Sequence, residues 1–246
     1  MNLVSIIMPY YKKRAFFLIS LESILKQTFQ NYEIIIIYDD TDNVDLDYIL
    51  EKKKLDKRIK LIKNDINIGA GFSRNKGISI SNGNYIAFLD CDDIWHPEKL
   101  ERQLNFMKDE KILFSFTSYE VINFEGEIIK YKKAQKKITF TELLSDCNIG
   151  LSTVMLEKKL IDNNCQFPIL KTKEDFVLWL KISKKTDLYG MDIPLVKWRK
   201  LSNSLSSNSF QKLIDGFKVY NRYMKFSLIK SCYLLIILSI NFIKKT

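Results

Sequence analysis

Residues 85–93 read Tyr-Ile-Ala-Phe-Leu-Asp-Cys-Asp-Asp: a short apolar run that ends directly in three carboxylates around one cysteine. The run Tyr85 to Leu89 fits a buried β-strand, set off upstream by the turn Asn82-Gly83-Asn84. Downstream, Pro97 suits the first position of a helix reaching Lys108. Working back towards the N-terminus, three similar runs occur at Leu3 to Met8, Tyr32 to Tyr38 and Ile59 to Lys63. The second of these, YEIIIIY, is too rich in β-branched residues to be a helix. Between the runs lie helix patterns. Arg14 to Lys26 carries Phe17, Leu21, Ile24 and Leu25 at helical spacing, Val44 to Lys54 forms a second, and a third opens at Asn67-Ile68-Gly69-Ala70-Gly71 and runs through Ile80. Strands alternating with helices predict an α/β fold, a mostly parallel sheet flanked by helices. Ligands of such sheets bind beyond the carboxyl ends of the strands. Those ends are Pro9-Tyr10-Tyr11, Asp39-Asp40-Thr41-Asp42 and Asp90-Cys91-Asp92-Asp93.

The second half reads differently. Ile112 to Val121 and Asn123 to Lys130 suggest a hairpin around Glu125-Gly126, followed by a short helix at Thr139 to Ser145 and a strand at Ser152 to Leu156. Thr172 to Lys184 is expected to be a helix with Phe176, Leu178, Trp179 and Ile182 near one face, and Asp192 to Trp198 a last strand. Asn203 to Asn208 is a Ser/Asn-rich loop. No internal repeat or low-complexity segment is present. The expected organisation is one domain over residues 1–205, with halves 1–110 and 111–205, and a helical segment over 206–246.

Composition narrows the chemistry. The chain has 246 residues, 46% apolar and 28% charged, which are globular values. Cys91, Cys147, Cys165 and Cys232 form no CxxC pair, so a reducing compartment is expected rather than a disulfide framework. His96 is the single histidine, no zinc-ligand spacing surrounds it, and no GxSxG elbow exists for a serine triad. The start of the chain carries no secretory pattern. The net charge is 39 − 29 = +10. Residues 201–246 hold Lys212, Lys218, Arg222, Lys225, Lys230, Lys244 and Lys245 against Asp215 alone, and so contribute +6 of it. They also hold the most apolar stretch, Phe226 to Ile243, broken by Lys230 and shorter than the roughly 20 residues a spanning helix needs. Basic flanks around a short apolar helix fit a helix lying on an anionic membrane surface, with packing against the domain or a partner subunit as the plainer alternative. Nucleic acid fits less well, because these bases sit among aliphatic rather than aromatic residues.

The strand-end carboxylates carry the chemistry. Three acids at Asp90-Cys91-Asp92-Asp93 repel one another unless something neutralises them. A divalent cation bridging a diphosphate would do so, Mg²⁺ or Mn²⁺ equally by ligand type. The plainer role for Asp92 or Asp93 is to cap the following helix. Asp39-Asp40-Thr41-Asp42 could close an Asx-turn, or one of its carboxylates could accept the imide N–H of a uracil or thymine base. Gly69-Ala70-Gly71-Phe72-Ser73-Arg74 places glycines and an arginine at a helix N-terminus, an end that favours phosphate, with Arg74 able to pair bidentately. It is neither a dinucleotide fingerprint nor a P-loop.

The string VSIIMPYYKK…SILKQTFQNYEIIIIYDD…NIGAGFSRNKGI…GNYIAFLDCDDIWHPEKLERQ resembles the family 2 glycosyltransferases of GT-A fold, closely over residues 3–108 and again at Lys173-Glu174-Asp175-Phe176-Val177-Leu178-Trp179-Leu180. The resemblance implies transfer of a sugar from a nucleotide-sugar, UDP-linked, with inversion and with a divalent metal. It implies that Pro9 and Tyr11 border the base and ribose and that Asp39 or Asp40 reads the base. The family's Asp-Asp-Gly-Ser appears here as Tyr38-Asp39-Asp40-Thr41. Arg74 would contact the nucleotide, Asp90 the ribose side, and Asp92 the metal with Asp90 beside it; Cys91 is the small residue between them. Asp175 matches the catalytic base, with Glu174 adjacent. Trp95, Ser152, Thr153 and Arg199 fall at weaker positions lining the sugar or acceptor side. The implied acceptor is a growing glycan or lipid-linked saccharide at the cytoplasmic membrane face. Two rivals remain on sequence grounds: a sugar nucleotidyltransferase, whose Gly-rich loop after the first strand is replaced here by Pro9-Tyr10-Tyr11-Lys12-Lys13, and a non-catalytic membrane-surface binding protein on the same fold.

Overall fold

A computed structural model describes residues 2–201 and 209–245; the Asn203 to Asn208 loop and the expected boundary at 205/206 lie outside the described residues. Strand β1 (Val4–Tyr10) sits between β2 (Tyr32–Tyr38) and β4 (Tyr85–Phe88), with β3 (Ile59–Lys63) outside β2, all parallel. The strand order therefore reverses at β1, the switch point where α/β sheets open a crevice for ligands. Beyond β4 the sheet continues through antiparallel β9 (Met155–Glu157) to β6 (Phe114–Ile122), then parallel β10 (Leu188–Arg199), and ends on β5 (Ile94–Trp95). Two short strands branch off: β7 (Ile128–Lys132) beside β6, as the expected hairpin, and β8 (Lys137–Ile138) beside β10.

Side-chain alternation divides the core into two layers. Ile7, Ile35, Ile37 and Phe88 face a core shared with α3 (Gly69–Ser79) and α6 (Glu174–Ser183), through Ile78, Phe176 and Trp179. Ile6, Met8, Ile34, Ile36 and Leu89 face another, closed by Phe17 and Leu21 of α1 (Arg14–Leu25) and Leu100 and Leu104 of α4 (Lys99–Asp109). Strand β2 is buried on both faces along its whole length, which is why it reads as an unbroken apolar run. The remaining helices are α2 (Leu46–Lys53), α5 (Phe140–Ser145), α7 (Ser209–Lys218) and α8 (Leu228–Lys245), with a π-helical turn at Val219–Tyr223.

Several expected boundaries move. Helix α4 starts at Lys99, not Pro97: Pro97 lies in a turn whose carbonyl accepts the Thr28 N–H, and the Lys99 N–H returns to His96. Ser152 is not in a strand, because Leu151–Thr153 forms a 3-10 turn in which the Thr153 N–H and hydroxyl both bond the Gly150 carbonyl. Helix α6 begins at Glu174 because Lys173 adopts the left-handed conformation, φ 63°. Strand β10 starts four residues earlier than Asp192 and passes Pro194 at a shift of register, since proline offers no N–H to the ladder. The C-terminal helices pack on this same body. Leu234 and Leu238 join the core that contains Phe88, and the Tyr220 hydroxyl and Asn241 amide donate to the carbonyls of Leu144 and Ser145. Among the described residues no helix is long and apolar enough to cross a membrane.

Helix α3 crosses β1 at Gly77, where a Cβ would meet Ile7 Cγ2 at 2.6 Å. Ile7 is β-branched and fully buried, so neither side can yield cheaply. Gly77→Ala is expected to lower stability by about 1–3 kcal/mol, measured by denaturant unfolding, despite the better helix propensity of alanine.

Candidate active site

The carboxyl ends of β1, β2 and β4 open on one side of the sheet and bring the acidic clusters together. Asp39, just past β2, is buried, and its carboxylate accepts the N–H groups of Ile68 (2.9 Å) and Gly69 (2.8 Å) and the Asn64 amide (2.8 Å). The start of α3 is thus capped by Asp39, which corrects the expectation that this helix end is left for phosphate: an internal carboxylate already occupies it. The next residue is the opposite case. Asp40 is 1% exposed, and neither carboxylate oxygen takes a hydrogen bond from the described residues. A buried carboxylate without a donor is costly, so Asp40 is the acidic side chain of this pair that lacks a partner. Tyr38, at the family's first aspartate, turns into the core and stacks on Tyr10 with centroids 5.4 Å apart. Asp42 makes an Asx-type contact to the Val44 N–H, and Tyr11 stands half-exposed at the rim.

The turn after β4 is fixed from several sides. Asp93 is buried; its carboxylate accepts the Ser152 hydroxyl (2.5 Å) and the Arg199 N–H (2.9 Å). Burial, then the charges of Asp92 and Asp90, hold its carboxyl well above the ordinary range. The Cys91 thiol donates to the Pro9 carbonyl (3.1 Å) and its own carbonyl accepts the Ser20 hydroxyl, so this cysteine and Pro9 tie β1 to the turn and the thiol lies in the core. No side chain of this turn caps α4. Asp90 and Asp92 remain on the crevice side, each with one cation: Arg74 Nη2 lies 2.7 Å from Asp90, and Lys13 Nζ 2.7 Å from Asp92. Burial first and the neighbouring Asp90 second raise the Asp92 carboxyl above its usual value, with Lys13 opposing.

Arg74 reaches both halves of the site. It stands on α3, is 5% exposed, and gives its other terminal nitrogen to Glu174 Oε1 at 2.9 Å. Burial disfavours its charge, but Asp90 and Glu174 outweigh this and push its pKa above the ordinary guanidinium value. Gly71, one turn earlier, permits the approach: a Cβ there would sit 3.3 Å from Glu174 Cγ and from the Pro168 carbonyl. Glu174 and Asp175 open α6. Burial, assisted by Asp175, pushes the Glu174 carboxyl up to about 7 against the pull of Arg74. Asp175 is likewise raised, chiefly by burial; one oxygen accepts the Phe176 N–H at 2.7 Å and the other takes no hydrogen bond from the described residues.

The weaker sequence candidates go to structural duties. Trp95 is 2% exposed, donates its indole N–H to the Ser152 carbonyl and carries Lys99 Nζ 4.0 Å from its ring, so it is a core residue, not a sugar platform. Ser152 and Thr153 are buried in the turn beside Asp93. The Arg199 guanidinium donates to the carbonyls of Asp92, Asn123 and Phe124 and stacks 4.7 Å over Phe16, leaving it to clamp the turn rather than reach for a diphosphate. Lys13, Asn64 and Asp93 escaped the sequence reading as site residues. Asp93 had a signal as the third acid of the strand-end cluster, and Lys13 as a cation directly after the first strand.

Among the described residues no three His, Cys, Asp or Glu side chains converge as a metal cage. The donor set still fits a hard cation of the kind that takes one or two carboxylates and completes its shell with phosphate oxygens. Asp90 and Asp92 flank one residue, and their mutual repulsion is what the lysine and arginine now offset.

An α/β sheet with an acidic crevice at its switch point, bordered by a second acidic pair on a helix start, is the architecture of GT-A nucleotide-sugar enzymes. The chain belongs to the glycosyl transferase family 2, whose model matches residues 5–162. It is 38% identical over 235 residues to the UDP-Glc:α-D-GlcNAc-diphosphoundecaprenol β-1,3-glucosyltransferase WfgD of Escherichia coli, covering 95% of this chain and 91% of that protein. It is 33% identical to TuaG of Bacillus subtilis, named for teichuronic acid biosynthesis, over 99% of this chain and 97% of that protein. In three dimensions it resembles residues 1–349 of Staphylococcus aureus TarS solved with UDP-GlcNAc, with a TM-score of 0.75, 19% identity, and coverage of 97% of this chain and 71% of that one. A mannosyltransferase of Pyrobaculum calidifontis, solved with GDP-Man and Mn²⁺, superposes with a TM-score of 0.67 at 10% identity, covering 96% of this chain and 73% of that one. The chain is therefore a glycosyltransferase by family, which sets aside the nucleotidyltransferase reading.

The Glu174 shift has a measurable consequence. Its folded pKa of about 7 lies above the ordinary 4.5, so between these values the folded state holds a proton the unfolded chain has lost. Stability therefore falls as pH rises through that window and levels off above it. Glu174→Gln, which keeps an acceptor for Arg74, is expected to flatten this slope in chemical denaturation carried out across the window. An unchanged slope would show that Glu174 titrates normally.

Proposed function

We propose that the chain transfers a sugar from a UDP-linked donor to a lipid-linked saccharide in surface-glycan synthesis, inverting the anomeric carbon, and that it works in the cytoplasm at the inner face of the cell membrane. The observation that carries this is the buried Arg74 joining Asp90 of the turn after β4 to Glu174 beside Asp175, because it sets a donor-side and a base-bearing element against one crevice. The relatives support the donor and acceptor classes, since WfgD is named for UDP-Glc and for a diphosphoundecaprenol-linked acceptor. Residues 1–110 form the donor half and 111–205 the acceptor half in this reading.

Each residue then has a task. The unpartnered Asp40 accepts the imide N–H of the base, with Asp39 holding the loop that presents it. Pro9 and Tyr11 border the base and ribose, and Asp90 lies towards the ribose. A divalent cation, Mg²⁺ or Mn²⁺, held by Asp92 with Asp90 beside it, supplies charge neutralisation for the leaving diphosphate. Arg74 and Lys13 bring positive charge to the same place. Asp175, raised by burial and with one oxygen uncommitted, takes the proton of the acceptor hydroxyl as that oxygen attacks the anomeric carbon. Attack opposite the leaving group inverts the centre, and no protein nucleophile is needed. Glu174 positions Arg74.

The test is nucleoside-diphosphate release from a panel of nucleotide-sugars with Mn²⁺ or with chelator. Metal-dependent release from one donor is expected. Asp175→Asn should cut turnover about 10²–10⁴-fold while leaving nucleotide binding intact. Asp40→Ala removes an acceptor to the base and should weaken UDP binding by ~10–100-fold, the equivalent of about 1.5–3 kcal/mol for a charged hydrogen bond. Failure of any nucleotide to bind, with or without metal, would return the chain to the rival reading of a non-catalytic membrane-surface protein.

A further inference from the structure

The last two helices leave an apolar face that the domain does not cover. On α8, Ile229, Tyr233, Ile236, Ile240 and Ile243 recur every three or four residues and are all exposed, Ile229 to 86%. The opposite side of the helix carries Ser231, Leu234 and Leu238 into the core. The neighbouring α7 exposes Phe210, Leu213 and Ile214, and the two helices touch where Gly216 meets Leu235 and where Lys212 Nζ lies 5.2 Å from the Phe242 ring. The segment's own charge has one sign. From residue 216 to the C-terminus the sequence has Lys218, Arg222, Lys225, Lys230, Lys244 and Lys245 and no acid.

We propose that the outer face of α7 and α8 is a docking surface for an anionic lipid bilayer, into which the isoleucine stripe inserts parallel to the membrane plane. The charge selects this occupant. An exposed apolar helix face on a segment whose net charge is strongly positive matches the interface of acidic headgroups, whereas a second copy would bring two segments of the same sign together. The 18-residue α8 has one side committed to the core, so it lies on the surface rather than spanning it.

The face is tied directly to the helix start that bears Asp175. Asp215 on α7, itself buried, accepts both the backbone N–H and the hydroxyl of Thr172 at 3.1 Å, three residues before Asp175. Phe176 packs edge-on against Tyr220 just beyond α7. Docking through α7 and α8 would therefore hold the start of α6 in a fixed orientation to the membrane. This deepens the membrane reading given above and rests on it for the acceptor, while the surface itself is testable without any acceptor.

The experiment is flotation of the full chain with vesicles of equal parts phosphatidylglycerol and phosphatidylcholine, against vesicles of phosphatidylcholine alone. Binding to the anionic vesicles only, weakened by salt, is expected. Ile236→Asp and the double change Lys225→Glu with Lys230→Glu should each reduce it tenfold or more. Both variants alter exposed side chains, so circular dichroism and UDP binding should match the wild type. Equal binding to both vesicle types, or variants that bind as the wild type does, would overturn the proposal. So would a wild-type dimer in sedimentation that Ile236→Asp dissolves, which would assign the face to a second copy. Wild-type UDP binding measured alongside separates the two readings: UDP binding without vesicle binding sinks the docking surface alone, and vesicle binding without binding of any nucleotide sinks the transferase.

Discussion

A guanidinium buried between two carboxylates organises this protein. Taking Arg74 out of water carries a desolvation penalty that its two ion pairs must offset, and the pairing reaches in opposite directions, to Asp90 after β4 and to Glu174 at the start of α6. Pairs of this kind add little net stability compared with apolar packing, but breaking one strands a charge in a dry site and is strongly unfavourable. The arrangement therefore acts on geometry more than on stability. It makes the relative placement of the turn after β4 and the start of α6 expensive to change, and these are the segments that carry Asp90 with Asp92 and Glu174 with Asp175.

Around that bridge the structure manages an excess of negative charge. Asp39, Asp40, Asp90, Asp92 and Asp93 all fall at strand ends on one side of the sheet. Two are neutralised by the scaffold without any cation: Asp39 by helix N–H groups, Asp93 by a hydroxyl and a backbone N–H. Two are neutralised by side chains, Asp90 by Arg74 and Asp92 by Lys13. Asp40 takes no hydrogen bond from the described residues. The distinction sorts scaffold from site. Acids held by backbone donors are built into the fold, acids held by mobile or shared cations can exchange them for ligand, and the acid without a donor is where a ligand N–H has most to gain.

The first half of this logic was legible in the residues. Strands β1 to β4 were recognisable because each is a short apolar run bounded by turn residues, and parallel strands covered on both faces must read that way. The strand ends then located the crevice. What could not be read was which carboxylate does what, because that depends on contacts distant in sequence: Asn64 and Gly69 on Asp39, Ser152 and Arg199 on Asp93, Glu174 on Arg74. Trp95 shows the same limit from the other direction. Its position just after Asp90-Cys91-Asp92-Asp93 suggested a sugar contact, but its indole N–H finds the Ser152 carbonyl and the ring turns inward. Beyond residue 110 short strands, a 3-10 turn and a proline-interrupted β10 weaken periodicity, so boundaries there shifted, and the helical segment expected over 206–246 was not divided into α7 and α8.

Sequence alone left open whether the C-terminal helix lies on a membrane or packs on the domain; the structure shows the packing and leaves an apolar face outside it. A helix has two sides, and α8 uses them differently: Leu234 and Leu238 enter the core shared with Trp179, while the isoleucine stripe stays outside it. The inward side is what fixes the direction of the outward one. Because α7 holds Thr172 through Asp215 and the π-helical turn packs Tyr220 against Phe176, the orientation of the exposed face is locked to that of α6. A loosely tethered amphipathic helix would only raise the local concentration of enzyme at a surface. One packed into the core, with its neighbour α7 bonded to the chain just before Asp175, would also fix how the crevice is oriented wherever that face docks, a constraint that an acceptor confined to two dimensions would require.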